Sequence, residues 1–297
     1  MRVEMMEEAM AKAAVLTEAL PYIQRFKGSV VLVKVGGSVM ETAENLERLL
    51  TDIAFLNVVG IKTVLVHGGG KAISRGMTEA GIEPNFVMGL RVTTEQTIRV
   101  VEQVIKRQVN AEVVRLLQKH GANARPLHGD WIFSVRKKTG VDPSTGRPVD
   151  WGYVGTPVSV DTRPVQEMLD AGIVPVVTPL GTGSDGKLYN VNADTAASAL
   201  AKAMKVRKLA FISDVPGLLM RVDDPSSLLA TLRIGSVQKL KENGVIGGGM
   251  LPKLESCVEA IRAGVGKVHL IDGRMPHSLL LEIFTKQGVG TEIIADE

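Results

Sequence analysis

Cysteine and aromatic residues are scarce in this chain. Of 297 residues one is cysteine, Cys257, and aromatics make up 4%. A single thiol closes no intramolecular disulfide and builds no sulfur-based metal cluster, which suits a reducing cytoplasm. No apolar run approaches the ~20 residues of a membrane-spanning helix. Glu4, Glu7 and Glu8 interrupt any signal-peptide core at the N-terminus. Positive charge is also thin: the net charge is +3, Lys and Arg are dispersed, and the densest basic run is Arg136-Lys137-Lys138. Nucleic-acid binding needs clustered cations, so it is disfavoured. His67, His120, His128, His269 and His277 lack metal-ligand spacing, and His67 reads as a turn or structural residue. These absences describe a soluble, cytoplasmic protein with no membrane, nucleic-acid or metal-cage role.

What is present is a rhythm of apolar runs alternating with helical periodicity. A helix is expected from about Glu4 to Phe26, with a kink at Pro21, where a backbone donor is lost. It reads either as an arm packing on another subunit or as a helix folded back on its own domain. The apolar run Val30–Val35 predicts a buried strand, Leu46, Leu49, Leu50, Ile53 and Leu56 an amphipathic helix, and Thr63–Val66 a second strand. A helix ending near Gly81 and a long one from about Thr94 to Lys119 follow. Two β-like runs between Trp131 and Tyr153 flank a turn-rich stretch, Asp142–Pro148, and predict a projecting hairpin. Alternation resumes with strand Ile173–Val177, a helix from near Asp194, strand Lys208–Ser213, a helix over Pro252–Ala263, a last strand Val268–Ile271 and a helix around Leu279–Phe284. The pattern predicts an α/β fold with a mostly parallel sheet covered on both faces.

Several of these strands end in loops rich in Gly, Asp or Lys, where open α/β sheets bind ligands. Gly36-Gly37-Ser38, Gly68-Gly69-Gly70 and Gly247-Gly248-Gly249 let backbone N–H groups approach anionic oxygens. Three such loops suit a nucleoside triphosphate and an acidic cosubstrate. The P-loop pattern is absent. Gly181-Thr182-Gly183-Ser184-Asp185-Gly186 matches the dinucleotide pattern in letters only, because the next helix begins several residues later. A polar turn before an active-site strand accounts for it better. Phosphoryl transfer needs charge neutralisation above all. Lys34 interrupts an apolar strand just before glycines, and Lys253 begins a helix whose dipole opposes a cation. Asp194 could serve as a plain N-cap or could hold both ammoniums. Arg91 can grip a carboxylate through paired hydrogen bonds. Ser38 reads equally as phosphate ligand or turn residue.

Lys34-Val-Gly-Gly-Ser38, Val66-His-Gly-Gly-Gly70, Gly89-Leu-Arg91-Val-Thr93, Asn190-Val-Asn-Ala-Asp194, Ser213-Asp-Val-Pro-Gly217 and Gly248-Gly-Met-Leu-Pro-Lys253 stand in this order. The ordered set, from about Leu20 to Ile293, resembles the N-acetylglutamate kinases of the amino acid kinase family. The resemblance implies a three-layer αβα open sandwich with a mainly parallel central sheet. It implies an arm over 1–26, an amino-acid-substrate lobe over 27–187 and a nucleotide lobe over 188–297. The substrates would be N-acetyl-L-glutamate and ATP, with Mg2+ held by the nucleotide. Lys34, Lys253 and Asp194 would be catalytic. Gly69, Gly70, Arg91 and Asn190 would face the acceptor, and Gly36, Gly37, Ser38, Ser213, Asp214, Gly217, Gly248, Gly249 and Lys253 the nucleotide. The helical arm resembles that of hexameric members inhibited by L-arginine. Tyr22, Lys208, His269, Glu282, Gly288 and Gly290 resemble their feedback site, and a PII-type regulatory protein is a further expected partner. Lys71 departs from the proline usual after the triple glycine. A kinase for an aminoadipate derivative and a non-catalytic arginine sensor are the alternatives.

Overall fold

The structure is a computed structural model that describes residues 2–142, 146–246, 250–285 and 288–296. The first half comprises α1 (Arg2–Phe26), β1 (Val30–Val35), α2 (Ala43–Val58), β2 (Lys62–His67), α3 (Gly70–Glu79), β3 (Phe86–Val87), β4 (Leu90–Arg91), α4 (Glu95–Gln103), α5 (Ala111–Lys119), β5 (Ala124–Leu127), β6 (Phe133–Val141) and β7 (Pro148–Val160). Then come α6 (Arg163–Asp170), β8 (Val174–Val177), β9 (Leu180–Gly183), β10 (Leu188–Val191), α7 (Ala193–Met204), β11 (Lys208–Ser213), β12 (Thr231–Arg233), α8 (Val237–Glu242), α9 (Met250–Arg262), β13 (Lys267–Asp272), α10 (Ser278–Phe284) and β14 (Thr291–Ile294).

Eight strands form one sheet in the order β12-β14-β13-β11-β1-β2-β8-β5. Its six strands from β13 to β5 pair in parallel, whereas β14 runs antiparallel to β13 and carries β12 with it. The central strands are buried on both faces, which explains their continuous Val, Leu and Ile runs. Leu46, Leu49, Leu50, Ile53 and Leu56 of α2 cover one face. Ala196, Ala197, Leu200 and Ala201 of α7 lie against the other, their small side chains allowing close approach. Fully burying a Leu or Ile contributes roughly 1.5–3 kcal/mol, so this stripe fixes α2 firmly. The three-layer α/β architecture agrees with the sequence reading.

Three differences are physical. The helix expected over 94–119 is one path but not one α-helix: Val104–Asn110 is π-helical between α4 and α5. The 131–153 hairpin exists as β6 and β7, but β9 and β10 close it into a four-stranded barrel, and part of its turn lies outside the described residues. β14 follows the strand expected to be last. Of the dinucleotide-like glycines, Gly181 and Gly183 lie in β9 and Gly186, at φ +73°, lies in the β9–β10 turn, as the alternative reading expected. At the N-terminus, α1 continues past Pro21. Tyr22 packs edge-on to Phe284 and Phe26 is buried, while Met6, Met10, Val15, Leu16 and Leu20 are exposed. Among the described residues no helix is long and apolar enough to cross a membrane.

Candidate active site

Strand order reverses between β1 and β11: connections leave β1 toward β2 and leave β11 toward β13. A crevice therefore opens beyond the carboxyl ends of these two strands, the usual ligand position in such sheets. Two loops meet there. Ser38, after β1, donates through Oγ to Oδ2 of Asp214, after β11, at 3.2 Å. Gly37, at φ +65°, faces the same carboxylate.

Lys34 lies in β1 opposite Phe211 and is 8% exposed. Burying an ammonium in an apolar strand is costly without an anion. Asp194 supplies one: its Oδ1 lies 2.7 Å from Lys34 Nζ, and its Oδ2 lies 3.5 Å from Lys253 Nζ. Lys253 comes from the first turn of α9 and stands 5.4 Å from the Phe211 ring centroid. Residues far apart in sequence thus share one carboxylate, one oxygen each. Burial acts to raise the Asp194 pKa, but Lys34 and Lys253 outweigh it and hold the carboxyl below its ordinary value. Two cations on one anion leave positive charge in excess. Gly36 permits the arrangement, because a Cβ there would stand 2.4 Å from Lys34 Nζ.

Asp194 is not the cap of its helix. Asn192 is, accepting from Thr195 N at 3.0 Å, and Asp194 falls in the first turn, where the dipole favours a carboxylate. The same carboxylate offsets the unfavourable position of Lys253 at a helix start.

Two cavities border this centre. One of about 830 Å³ is lined by Gly37, Ser38, Gly69, Gly70, Lys71 and Asp214, among others. One of about 300 Å³ is lined by Asp194 and Lys253 together with Asn192, Thr195, Lys138 and Ser256. These last four were not singled out in sequence. Asn192 carried a signal, as a cap-type residue before a helical run; Lys138 needed the barrel to bring it in.

Arg91 ends β4 and is buried, with its guanidinium 4.6 Å from the Phe86 ring centroid. Nη2 donates to Gly70 O at 2.8 Å and Ser74 Oγ at 2.7 Å, and Nη1 contacts Met77 Sδ at 3.0 Å. Arg91 thus anchors the first turn of α3 beside the larger cavity. Asn190 is half-buried in β10, opposite Val154 of β7 and Leu180 of β9. Ser213 ends β11 beside Asp272 of β13. Gly217 packs on β14, where a Cβ would stand 2.6 Å from Thr291 Oγ1. Gly248 and Gly249 lie outside the described residues. Lys71 pairs with Glu41 across the rim of the larger cavity.

A second buried network lies on the β11–β13 edge. Lys208 Nζ donates to His269 Nε2 at 3.2 Å, and His269 Nδ1 donates to Glu282 Oε1 at 2.6 Å. Glu282 Oε2 accepts from Val289 N at 2.7 Å and Gly290 N at 3.0 Å. Burial pushes the Lys208 pKa down to about 8 and lowers that of His269. Gly288, at φ +64°, borders Glu282, and Tyr22 approaches α10 through Phe284. Five of the six residues expected at a feedback site therefore cluster, and Tyr22 reaches the helix that carries Glu282.

A parallel sheet with phosphate-type loops at its switch point and two lysines on one aspartate defines a small-molecule phosphotransferase. The chain belongs to the Amino acid kinase family, whose family model matches residues 29–272. Relatives similar over nearly the whole chain carry the name acetylglutamate kinase. That of Heliobacterium modesticaldum is 45% identical over 97% of this chain and 100% of its own length, and that of Symbiobacterium thermophilum is 44% identical over 97% and 99%. Among solved structures, N-acetylglutamate synthase from Neisseria gonorrhoeae, complexed with coenzyme A and N-acetyl-glutamate, superposes with a TM-score of 0.81 at 29% identity, covering 96% of this chain and 64% of that one. The same synthase complexed with coenzyme A and L-arginine gives 0.76 at 27%, covering 95% and 65%. This chain thus spans about two thirds of the synthase chain. Giardia carbamate kinase shares the fold, with a TM-score of 0.66 at 17% identity over 91% and 99%.

Proposed function

We propose that this chain transfers the γ-phosphoryl group of ATP to the γ-carboxylate of N-acetyl-L-glutamate, giving N-acetyl-L-glutamyl 5-phosphate and ADP. The observation that carries the proposal is the meeting of Lys34 and Lys253 on Asp194 beside the β1 and β2 loops. A carboxylate oxygen attacks the γ-phosphorus and the bond to the β–γ bridging oxygen breaks. The acceptor is already deprotonated, so no general base is required. Negative charge moves from the attacking oxygen to the leaving diphosphate, and the two ammoniums meet it without rearrangement. Asp194 keeps them spaced for a phosphoryl group. The amides of Gly69 and Gly70 open α3 without intrahelical partners and face an anionic acceptor. Arg91 stands beside them for the acceptor's other carboxylate, and Asn190 completes that side. The nucleotide takes the side of Gly36, Gly37, Ser38, Ser213, Asp214 and Gly217, with Gly248 and Gly249 in the loop before Lys253. Magnesium, held by the nucleotide, neutralises phosphate oxygens. Residues 27–187 form the acceptor lobe in this proposal and 188–297 the nucleotide lobe.

The proposal extends to regulation. The Lys208–His269–Glu282 network, with Gly288, Gly290 and Tyr22, would receive L-arginine; a related synthase complexed with L-arginine supports this. The exposed apolar side chains of α1 would join copies into a homohexamer. A PII-type regulator belongs to the same proposal, as does a cytoplasmic location.

The test is acyl-phosphate trapping by hydroxylamine with MgATP and a panel of acylated amino acids. N-acetylglutamate is expected to give the highest kcat/KM. Preference for an aminoadipate derivative would reassign the acceptor, and no turnover with any acceptor would refute the reaction. Arginine added to the same assay is expected to inhibit.

A further inference from the structure

We propose that His67 and Asn110 are positioning residues for the Gly69 and Gly70 amides, held in register by the π-helical segment Val104–Asn110. This rests on the phosphoryl-transfer reading above. His67 ends β2 immediately before the glycine loop and is fully buried. Its Nδ1 lies 2.7 Å from Gly68 O, and its Nε2 lies 2.9 Å from Asn110 Nδ2. Asn110 is likewise fully buried, and its Nδ2 also donates to Val176 O in β8 at 2.9 Å.

The two ends of this chain of bonds assign its protons. The Val176 carbonyl can only accept, so the amide nitrogen of Asn110 must face it. The same nitrogen then donates its other hydrogen to His67, whose Nε2 must be bare. The Gly68 carbonyl also only accepts, so Nδ1 carries the imidazole proton. One neutral tautomer satisfies both contacts, and an imidazolium would set Nε2–H against the Asn110 N–H. Burial pushes the His67 pKa down to about 4, the Gly68 contact opposing it and His128 adding to it.

Each peptide of the loop is thereby tied. Gly68 N donates to Val35 O at 2.8 Å and Gly68 O receives His67. Gly69 O accepts from Ile73 N at 2.8 Å and Gly70 O accepts from Arg91. With these carbonyls held, the Gly69 and Gly70 N–H groups keep one direction. The π-helical segment contributes twice. Asn110 closes the segment and reaches the imidazole, and Ile105 fills the space beside Gly69, where a Cβ would stand 2.6 Å from Ile105 Cδ1. π-Helical insertions are costly and tend to persist where they serve a site.

The test joins a spectrum to kinetics. In the full chain labelled with ¹⁵N-histidine, the signal lost in His67→Asn is expected to show protonated Nδ1, bare Nε2 and no titration between about pH 5.5 and 8. An Nε2-protonated tautomer, or a titration midpoint inside that window, would overturn the proposal. Asn110→Leu keeps the branched four-atom side-chain skeleton and removes both donors. Assayed well below its Tm, it is expected to lose about 10-fold or more in kcat with KM for MgATP changed less than about threefold. A lowered Tm with kcat within about twofold of wild type would make Asn110 merely structural and would sink the inference. His67→Asn restores a short donor near the Nδ1 position, so its kcat is expected to exceed that of His67→Leu by about 10-fold, and equal values would count against the network. Absence of acyl-phosphate formation by the wild-type chain would instead refute the proposed function, and the nitrogen spectrum would still decide the hydrogen-bond assignment.

Discussion

Asp194→Asn isolates the charge that holds the two lysines together. The substitution keeps shape and removes one negative charge from a site where Lys34 and Lys253 lie 2.7 and 3.5 Å from its oxygens. Held on two oxygens of one carboxylate, the ammoniums stand on the order of 6 Å apart, and at an effective dielectric of about 20 they repel by about 3 kcal/mol once the anion is gone. The lysine side chains are 10% and 17% exposed, so solvent screens this only in part. Losing one partner of a buried ion pair ordinarily costs a similar amount, about 3–5 kcal/mol. For a chain of this length a 3 kcal/mol loss lowers Tm by about 5 °C. Differential scanning fluorimetry at low salt is expected to show that drop. The deficit is expected to shrink when MgADP or a non-hydrolysable MgATP analogue supplies phosphate charge to the same ammoniums. In the trapping assay kcat is expected to fall about 10²-fold, because the lysines lose their spacing. A variant as stable as wild type, with no differential effect of nucleotide and a kcat within about threefold, would refute the reasoning.

Gly36→Ala places a methyl group 2.4 Å from the present position of Lys34 Nζ. It is expected to displace the ammonium and lower kcat by about 10-fold with Tm little changed; unaltered kcat would show that the ammonium tolerates the shift. Arg91→Lys cannot fork to Gly70 O and Ser74 Oγ while lying over Phe86. KM for the acceptor is expected to rise about 10-fold with KM for MgATP nearly constant, and the reverse pattern would move Arg91 off the acceptor side. Asp52, buried on α2 beside His277, titrates near 6 in place of the usual 3.8, because burial outweighs the His277 hydrogen bond. The folded chain therefore holds this proton to higher pH than the unfolded chain. The stabilisation that proton brings is complete below about pH 4 and is lost as pH rises through 6. Wild-type stability measured against Asp52→Asn by urea unfolding is thus expected to decline by on the order of 3 kcal/mol between pH 4 and 7. A pH-independent difference would contradict the burial argument.

The elements most legible in sequence were those written in period and apolarity. The strands Val30–Val35 and Lys208–Ser213, and the α2 stripe, follow from local pattern alone. Lys34 was conspicuous because a lysine in an apolar strand demands an anion. Its partner was visible only as an acidic residue in a helix-opening motif, and nothing local distinguished Asp194 as lysine clamp from Asp194 as cap. The cap turned out to be Asn192. The π-helical segment left no trace in an amphipathic pattern that still looked helical. His67 read as a turn residue because its partner Asn110, itself held by Val176 O, comes from a distant element. The barrel was half legible: the hairpin showed, but β9 and β10 are only four residues each, and their pairing with β6 and β7 is a tertiary fact.

The most direct test removes each ammonium in turn. Lys34→Ala and Lys253→Ala, assayed by hydroxylamine trapping at saturating N-acetylglutamate and MgATP, are each expected to lose about 10²-fold or more in kcat while remaining folded. Turnover close to wild type in either variant would mean that this lysine never meets the phosphoryl group, and the shared-carboxylate account of the site would fall.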